Sequence, residues 1–191
     1  MRIIAGALKG RRLETPTWEG LRPTSDKLRE TLFNVLAPRI AGARVVDAFA
    51  GTGALGLEAI SRGASHVAFI EQDRRAQALI ARNLAHCGVE EGYAMIPASV
   101  ARGVELLRAA PTFEPFDIVL LDPPYDLQPG KTTLAEPDET LMRLSALVAP
   151  GGIVVLEHAR RRPAPETAGP LVLTRRTSSG DSALAYYACR P

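Results

Sequence analysis

The residues with the most chemical content are Asp122, Pro123, Pro124 and Tyr125, which follow the apolar run Phe116–Leu121. Two consecutive prolines fix φ at about −65° and remove two backbone donors. Such a turn leaves a carboxylate at Asp122, a carbonyl at Pro123 and an aromatic ring at Tyr125. Two acceptors and a stacking plate suit a planar group that bears an exocyclic NH2. The lone pair of that amine is delocalised into its ring, so the nitrogen is a poor nucleophile. Accepting both of its N–H bonds draws it toward pyramidal geometry and aims the lone pair at an electrophile, so placement does most of the work. Once alkylated, the nitrogen is strongly acidic and loses a proton to Asp122 or water without a strong base.

A second constellation runs from Val45 to Gly56, where an apolar strand enters a glycine-rich turn and then a helix. Asp47, Phe49, Ala50, Gly51, Thr52 and Gly53 make the turn, which lets the backbone approach a ligand beside a helix N-terminus. Gly51, Gly53 and Gly56 fit G-x-G-x-x-G, and Glu71, with Gln72 beside it, follows Gly51 by twenty residues. That pattern is also the dinucleotide fingerprint, so the loop alone fits NAD and S-adenosyl-L-methionine equally. Asp47 separates them, because a carboxylate there opposes a pyrophosphate and suits the ammonium of a methionine moiety. A hydride-transfer enzyme has no use for the Asp122–Tyr125 peptide. Together the two motifs favour S-adenosyl-L-methionine, with S-adenosyl-L-homocysteine as product.

The elements that must position these residues alternate. Apolar strands are expected at Arg44–Phe49, His66–Glu71, Tyr93–Ile96, Asp117–Leu121 and Ile153–Glu157, separated by helices at Ala54–Arg62, Arg74–Cys87, Val100–Ala109 and Glu136–Val148. Near-continuous apolar strands alternating with helices make a doubly wound α/β sheet covered on both faces. Strands at Leu171–Thr177 and Ala183–Ala188, joined through Ser178–Ser182, close it with an antiparallel hairpin. This order is that of a Rossmann-like seven-stranded sheet rather than the six-stranded dinucleotide fold. Ahead of it come a short strand (Arg2–Ala5), a basic turn from Gly6 to Arg12, an arm through Pro16, Gly20 and Pro23, and a helix over Thr24–Leu36 that Pro38 ends. Residues 159–170 read as a basic, proline-rich loop.

The chain has 191 residues, 46% hydrophobic and 23% charged, values that suit one globular unit of substantial core. Net charge is only +2, yet residues 1–44 carry +5 and the remainder −3. The positive charge is thus concentrated before the sheet, a hint of nucleic-acid contact. Cys87 and Cys189 form no metal or redox spacing, and His66, His86 and His158 form no zinc motif, so the chain reads as a reduced cytoplasmic protein without metal. No apolar run approaches the roughly 20 residues that span a bilayer.

The segments Arg2–Gly6, Lys9–Leu13, Leu21–Thr24, Arg29–Asn34, Asp47–Gly53, Leu57–Ala64 and Asp122–Tyr125, in that order, resemble the RsmD family of class I S-adenosylmethionine-dependent methyltransferases. Gly180–Ser182 also fits the family's final hairpin, so the resemblance covers essentially the whole chain. It implies methylation of the exocyclic N2 amine of a guanine in bacterial 16S ribosomal RNA, free or in the small ribosomal subunit, by a monomer. It implies that Asp47 and Gly51–Gly53 hold the methionine part of the cofactor, that Glu71 takes the ribose hydroxyls, and that Asp122, Pro123 and Tyr125 grip the base. Many class I enzymes carry Asp or Asn after the third strand for the adenine amine. Here Ser99 or backbone at Val100 stands in that place. Residues 1–43 are then a basic arm and helix for RNA contact and closure, and residues 44–191 the catalytic unit. Lys9, Arg11 and Arg12 would contact phosphates, and Arg22 and Arg29 would lie on an arm over the cleft; Arg160–Arg162 form a weaker basic patch. Two other readings remain: a DNA adenine-N6 or cytosine-N4 methyltransferase, and an RNA-binding assembly factor with a vestigial cofactor site.

Overall fold

The computed structural model describes residues 1–18, 25–123 and 137–190. Its elements are α1 (Asp26–Ile40), β1 (Arg44–Ala48), α2 (Ala54–Ser61), β2 (His66–Ile70), α3 (Arg74–His86), β3 (Tyr93–Ile96), α4 (Val100–Ala109), β4 (Phe116–Leu121), α5 (Pro137–Ser145), β5 (Val148–Ala159), β6 (Thr167–Ala168), β7 (Leu171–Ser179) and β8 (Ser182–Cys189). They form one sheet in the order β3-β2-β1-β4-β5-β8-β7-β6. The first five strands are mutually parallel, and β8 inserts antiparallel between β5 and β7. The seven expected strands are present, and an eighth of two residues arises inside the segment read as a loop, where Thr167 and Ala168 pair with Val172 and Leu171.

Strand residues alternate between two apolar layers because successive side chains point to opposite faces. Val45, Phe69, Leu120 and Val155 join the side chains of α1, α2 and α3. Val46, Ile70, Leu121 and Val154 join those of α4 and α5. The strand order reverses between β1 and β4, which opens a crevice beyond their carboxyl ends. No helix among the described residues is long and apolar enough to cross a membrane.

Two local expectations are corrected, and the cap of α1 is located. Pro38 does not end α1 but lies inside it, because Leu36 and Ile40 both bury on the same apolar face and their burial outweighs the one intrahelical hydrogen bond that the missing N–H forfeits. Ser25 is the N-cap, its Oγ accepting from the Leu28 amide at 3.2 Å; Thr24 lies outside the described residues. The Arg2–Ala5 strand contracts to a single antiparallel bridge, Arg2 with Arg12, flanked by Ile3 N–H to the Arg11 carbonyl and Leu13 N–H to the Met1 carbonyl. It is short because Ile4 and Ala5 give their amides to a side chain of α2 instead.

Candidate active site

Asp47 sits in β1 between Phe69 of β2 and Leu120 of β4, and is only 1% exposed. Its Oδ2 accepts the Gly56 amide at 2.8 Å, while Oδ1 is buried without a partner. Burial pushes this carboxyl well above the ordinary range; the Gly56 hydrogen bond opposes the shift, and the charges of Asp122 and Glu71 add to it. A buried carboxylate oxygen lacking a donor, beside two further acids, calls for a cation. Among the described residues no group of His, Cys, Asp or Glu is placed to hold a metal ion. A buried carboxyl with one oxygen unpartnered fits an organic cation. The ammonium and sulfonium groups of S-adenosyl-L-methionine have that chemistry.

The loop after β1 is built by backbone conformations that favour glycine. Phe49, Gly51 and Gly53 have φ of 61°, 55° and 76°. Gly53 caps α2 in the left-handed conformation with no side-chain cap, and a Cβ there would lie 3.2 Å from Ile80. At Gly56 a Cβ would stand 2.2 Å from the Phe69 ring, so this glycine lets α2 close onto β2 while its amide serves Asp47. Glu71, after β2, accepts the Gly51 amide at 2.9 Å through Oε2 and the Asp73 amide at 2.8 Å through Oε1. It thus ties the loop to the start of α3 and presents its remaining lone pairs at the same rim. Ala50, Gly51, Thr52 and Gly53 are buried, Phe49 is half-buried and Gln72 is exposed.

Asp122 and Pro123 follow β4 and are half-buried at the crevice. Pro124 and Tyr125 lie outside the described residues, as does Arg22. Across the sheet, Ser99 is the N-cap of α4, its Oγ accepting from the Arg102 amide at 3.4 Å, and Val100 is buried. Asp47, Glu71 and Asp122 are thus gathered at one end of the sheet, and Ser99 and Val100 stand at the carboxyl end of β3.

The N-terminal arm is fastened by polar residues that the sequence reading passed over. Glu58, fully buried in α2, accepts the Ile4 and Ala5 amides at 2.8 and 3.0 Å, and Ser61 Oγ accepts the Leu8 amide at 3.0 Å. The arm then runs along α3 toward its N-terminus. Arg11 donates to the His86 carbonyl, Glu14 pairs with Arg82, and Trp18 lies under the Arg75 guanidinium at 5.1 Å. Lys9, Arg11 and Arg12 are exposed near the C-terminal end of α3, whereas Trp18 reaches the end beside Glu71. Arg29 departs from its expected role on the open arm. It is 0% exposed, with Nη2 donating to the Arg2 carbonyl and the Asp26 carboxylate, both at 2.8 Å, and burial lowers its pKa. It anchors α1 beneath the hairpin rather than facing a solvent-borne partner.

Asn83 joins arm and loop. Fully buried on α3, it accepts the Glu14 amide at 2.8 Å and donates to the Glu14 and Thr52 carbonyls at 3.2 and 3.0 Å. The available signal was a polar residue on the apolar stripe of Leu79, Ile80 and Leu84. Asn83→Ala leaves these backbone groups without partners and is expected to cost about 3 kcal/mol of stability, read by chemical denaturation. A loss under about 0.5 kcal/mol would mean that water replaces the amide.

A family model described as conserved hypothetical protein 95 matches residues 1–188. The chain is 36% identical over 187 residues to YlbH of Bacillus subtilis, covering 98% of both chains. It is 36% identical over 165 residues to ribosomal RNA small subunit methyltransferase D of Haemophilus influenzae, covering 85% of this chain and 81% of that one. The solved structure of yhhF from Escherichia coli superposes with a TM-score of 0.80 at 32% identity, over 100% of this chain and 98% of the other. The sheet order, the loop after β1 and these likenesses lead to one conclusion: the chain belongs to the RsmD family of class I methyltransferases.

Proposed function

We propose that this chain transfers a methyl group from S-adenosyl-L-methionine to the exocyclic N2 amine of a guanine in bacterial 16S ribosomal RNA, acting as a cytoplasmic monomer. The observation that carries the reading is the orphaned, buried Asp47 Oδ1 at the same switch point as Asp122 and Pro123. When bound, the cofactor supplies a methyl group already activated by its positive sulfur. Asp47 and the Gly51–Gly53 backbone hold the methionine part of the cofactor, with Asp47 accepting its ammonium, and Glu71 takes the ribose hydroxyls. The Asp122 carboxylate and the Pro123 carbonyl accept the two N–H bonds of the guanine amine and orient its lone pair. Tyr125 stacks on the base. Asp122 or water takes the proton released after transfer. Ser99 or backbone at Val100 meets the adenine.

In this reading residues 1–43 hold the RNA and residues 44–191 perform the chemistry. Lys9, Arg11 and Arg12 stand exposed on the hairpin and contact phosphates. Replacing all three with Ala should lower the magnitude of the slope of log affinity against log salt by about two, at roughly 0.7 per phosphate contact. An unchanged slope would return them to the role of solvated turn residues. The reading as a whole is tested by labelled methyl transfer to unmethylated 16S rRNA and to small ribosomal subunits, with mapping of the modified base. Label on guanine N2 is the expected result; label on DNA alone, or on no nucleic acid, would overturn it.

A further inference from the structure

The hairpin that carries Lys9, Arg11 and Arg12 docks at the C-terminal ends of α2 and α3, away from the crevice. A second concentration of positive charge lies at the crevice end itself. Strand β5 pairs with β4 so that Leu156 stands beside Leu121, which puts Glu157 next to Asp122. Three residues further along β5, about 10 Å at the rise of an extended strand, the chain turns through Arg160, Arg161 and Arg162.

This turn is held by its own hydrogen bonds. The Arg162 amide donates to the Ala159 carbonyl at 2.9 Å, and the Arg160 amide donates to the Asp181 carbonyl at 2.8 Å in the β7–β8 turn. His158 closes it from beneath, its Nδ1 donating to the Arg162 carbonyl at 2.8 Å. The backbone is thereby fixed while the three guanidinium groups are exposed. Among the described residues their charge is also without an ion-pair partner. Arg75, Arg82, Arg102, Arg143 and Arg176 each lie 2.6–2.8 Å from a carboxylate. Among the described residues, Arg160, Arg161 and Arg162 form no ion pair. The Asp181 backbone carbonyl accepts the Arg160 amide, and among the described residues no ion pair joins the Asp181 carboxylate to these arginines.

Three adjacent, unpaired guanidinium groups on a braced turn form a surface for polyanion phosphates, since Arg presents a forked donor set that matches phosphate oxygens. Resting on the proposed methylation of rRNA, we infer that Arg160–Arg162 are a second RNA-contact surface, gripping the phosphates that flank the target base at the crevice while the hairpin grips a more distant part of the same RNA. The division has a mechanical consequence. A base withdrawn from its helix must be held against restacking, which costs a few kcal/mol, and phosphate contacts next to the crevice oppose that return directly.

The test is binding of full-length unmethylated 16S rRNA across a salt series, with a chain in which Arg160, Arg161 and Arg162 are all replaced by Ala and another in which all three are Lys. The Ala chain is expected to lose about two from the magnitude of the salt slope and about 10- to 100-fold in affinity at low salt, with cofactor affinity by calorimetry unchanged. The Lys chain is expected to keep most of the slope, since it keeps the charge. Combining the Ala changes with those at Lys9, Arg11 and Arg12 should give additive slope losses. An unchanged slope in the Ala chain, or a Lys chain as impaired as the Ala chain, overturns the inference alone. A wild-type chain that shows no salt-dependent rRNA binding overturns the proposed function with it.

Discussion

Asp122→Ala is expected to abolish methyl transfer, with a fall in kcat of about 10³-fold or more, while cofactor affinity should stay within a few-fold of wild type. The first half follows from what the amine requires. An aromatic amine donates no lone pair until both N–H bonds are accepted and the nitrogen is aimed, so losing one of two acceptors removes both orientation and charge-assisted hydrogen bonding. The second half follows from the division of labour among the acids. Asp47 is the buried group with an orphaned oxygen, and Asp122 acts on it by charge, disfavouring its ionisation. Deleting Asp122 removes one attraction for a bound cation and relieves the strain on Asp47 ionisation, two effects of opposite sign. Asp122→Asn, which keeps an acceptor of the same shape, should retain more activity than Asp122→Ala. Single-turnover rates and calorimetric titration separate the outcomes. Full activity in Asp122→Ala would remove its role at the base, and lost cofactor binding would move that role to the cofactor.

Much of this arrangement was legible in the sequence because the signals were local. Strand–helix alternation fixed the layers, and the glycine spacing after β1 located the turn, since left-handed φ at Gly51 and Gly53 favours glycine and the 2.2 Å approach at Gly56 leaves no room for a side chain. What was not legible depends on partners far apart in the chain. Asn83 and Glu14 are separated by 69 residues, and Glu58 and Ile4 by 54, so nothing near either residue reports the bond. Arg29 shows the same limit from the other side. Its charge suggested a place on an RNA-contacting arm over the cleft, but its neighbours Leu28, Leu32 and Phe33 are core residues, and the helix carries the guanidinium under the hairpin with them. The two-residue β6 escaped because a strand so short has no period to detect.

Asp47→Asn should make the cofactor-free protein more stable at neutral pH and weaken cofactor binding by about 10- to 100-fold. The two effects have one origin. In the fold, burial holds the Asp47 carboxyl well above the range it has in the unfolded chain. Between the unfolded and folded values the native state keeps a proton that the unfolded state has lost, so stability is complete below the unfolded value and declines as pH rises through the folded one. At neutral pH, above the unfolded value, burying this carboxyl therefore costs the wild-type chain stability. Asn keeps an acceptor for the Gly56 amide and has no charge to desolvate, so its stability shows no such decline. Each kcal/mol recovered should raise Tm by about 2–4 °C in a chain of this length. The same substitution replaces the second oxygen with an NH2 and removes the negative charge that an ammonium group meets, a charge-assisted contact of about 1.5–3 kcal/mol. Wild-type affinity for S-adenosyl-L-methionine should accordingly rise with pH as Asp47 ionises, and that dependence should vanish in Asp47→Asn. Thermal unfolding without ligand and calorimetric titration at several pH values read the two effects independently. A variant that is less stable than wild type at neutral pH would mean that Asp47 is already compensated in the free protein. A variant that binds cofactor as tightly would mean that the ammonium is held elsewhere.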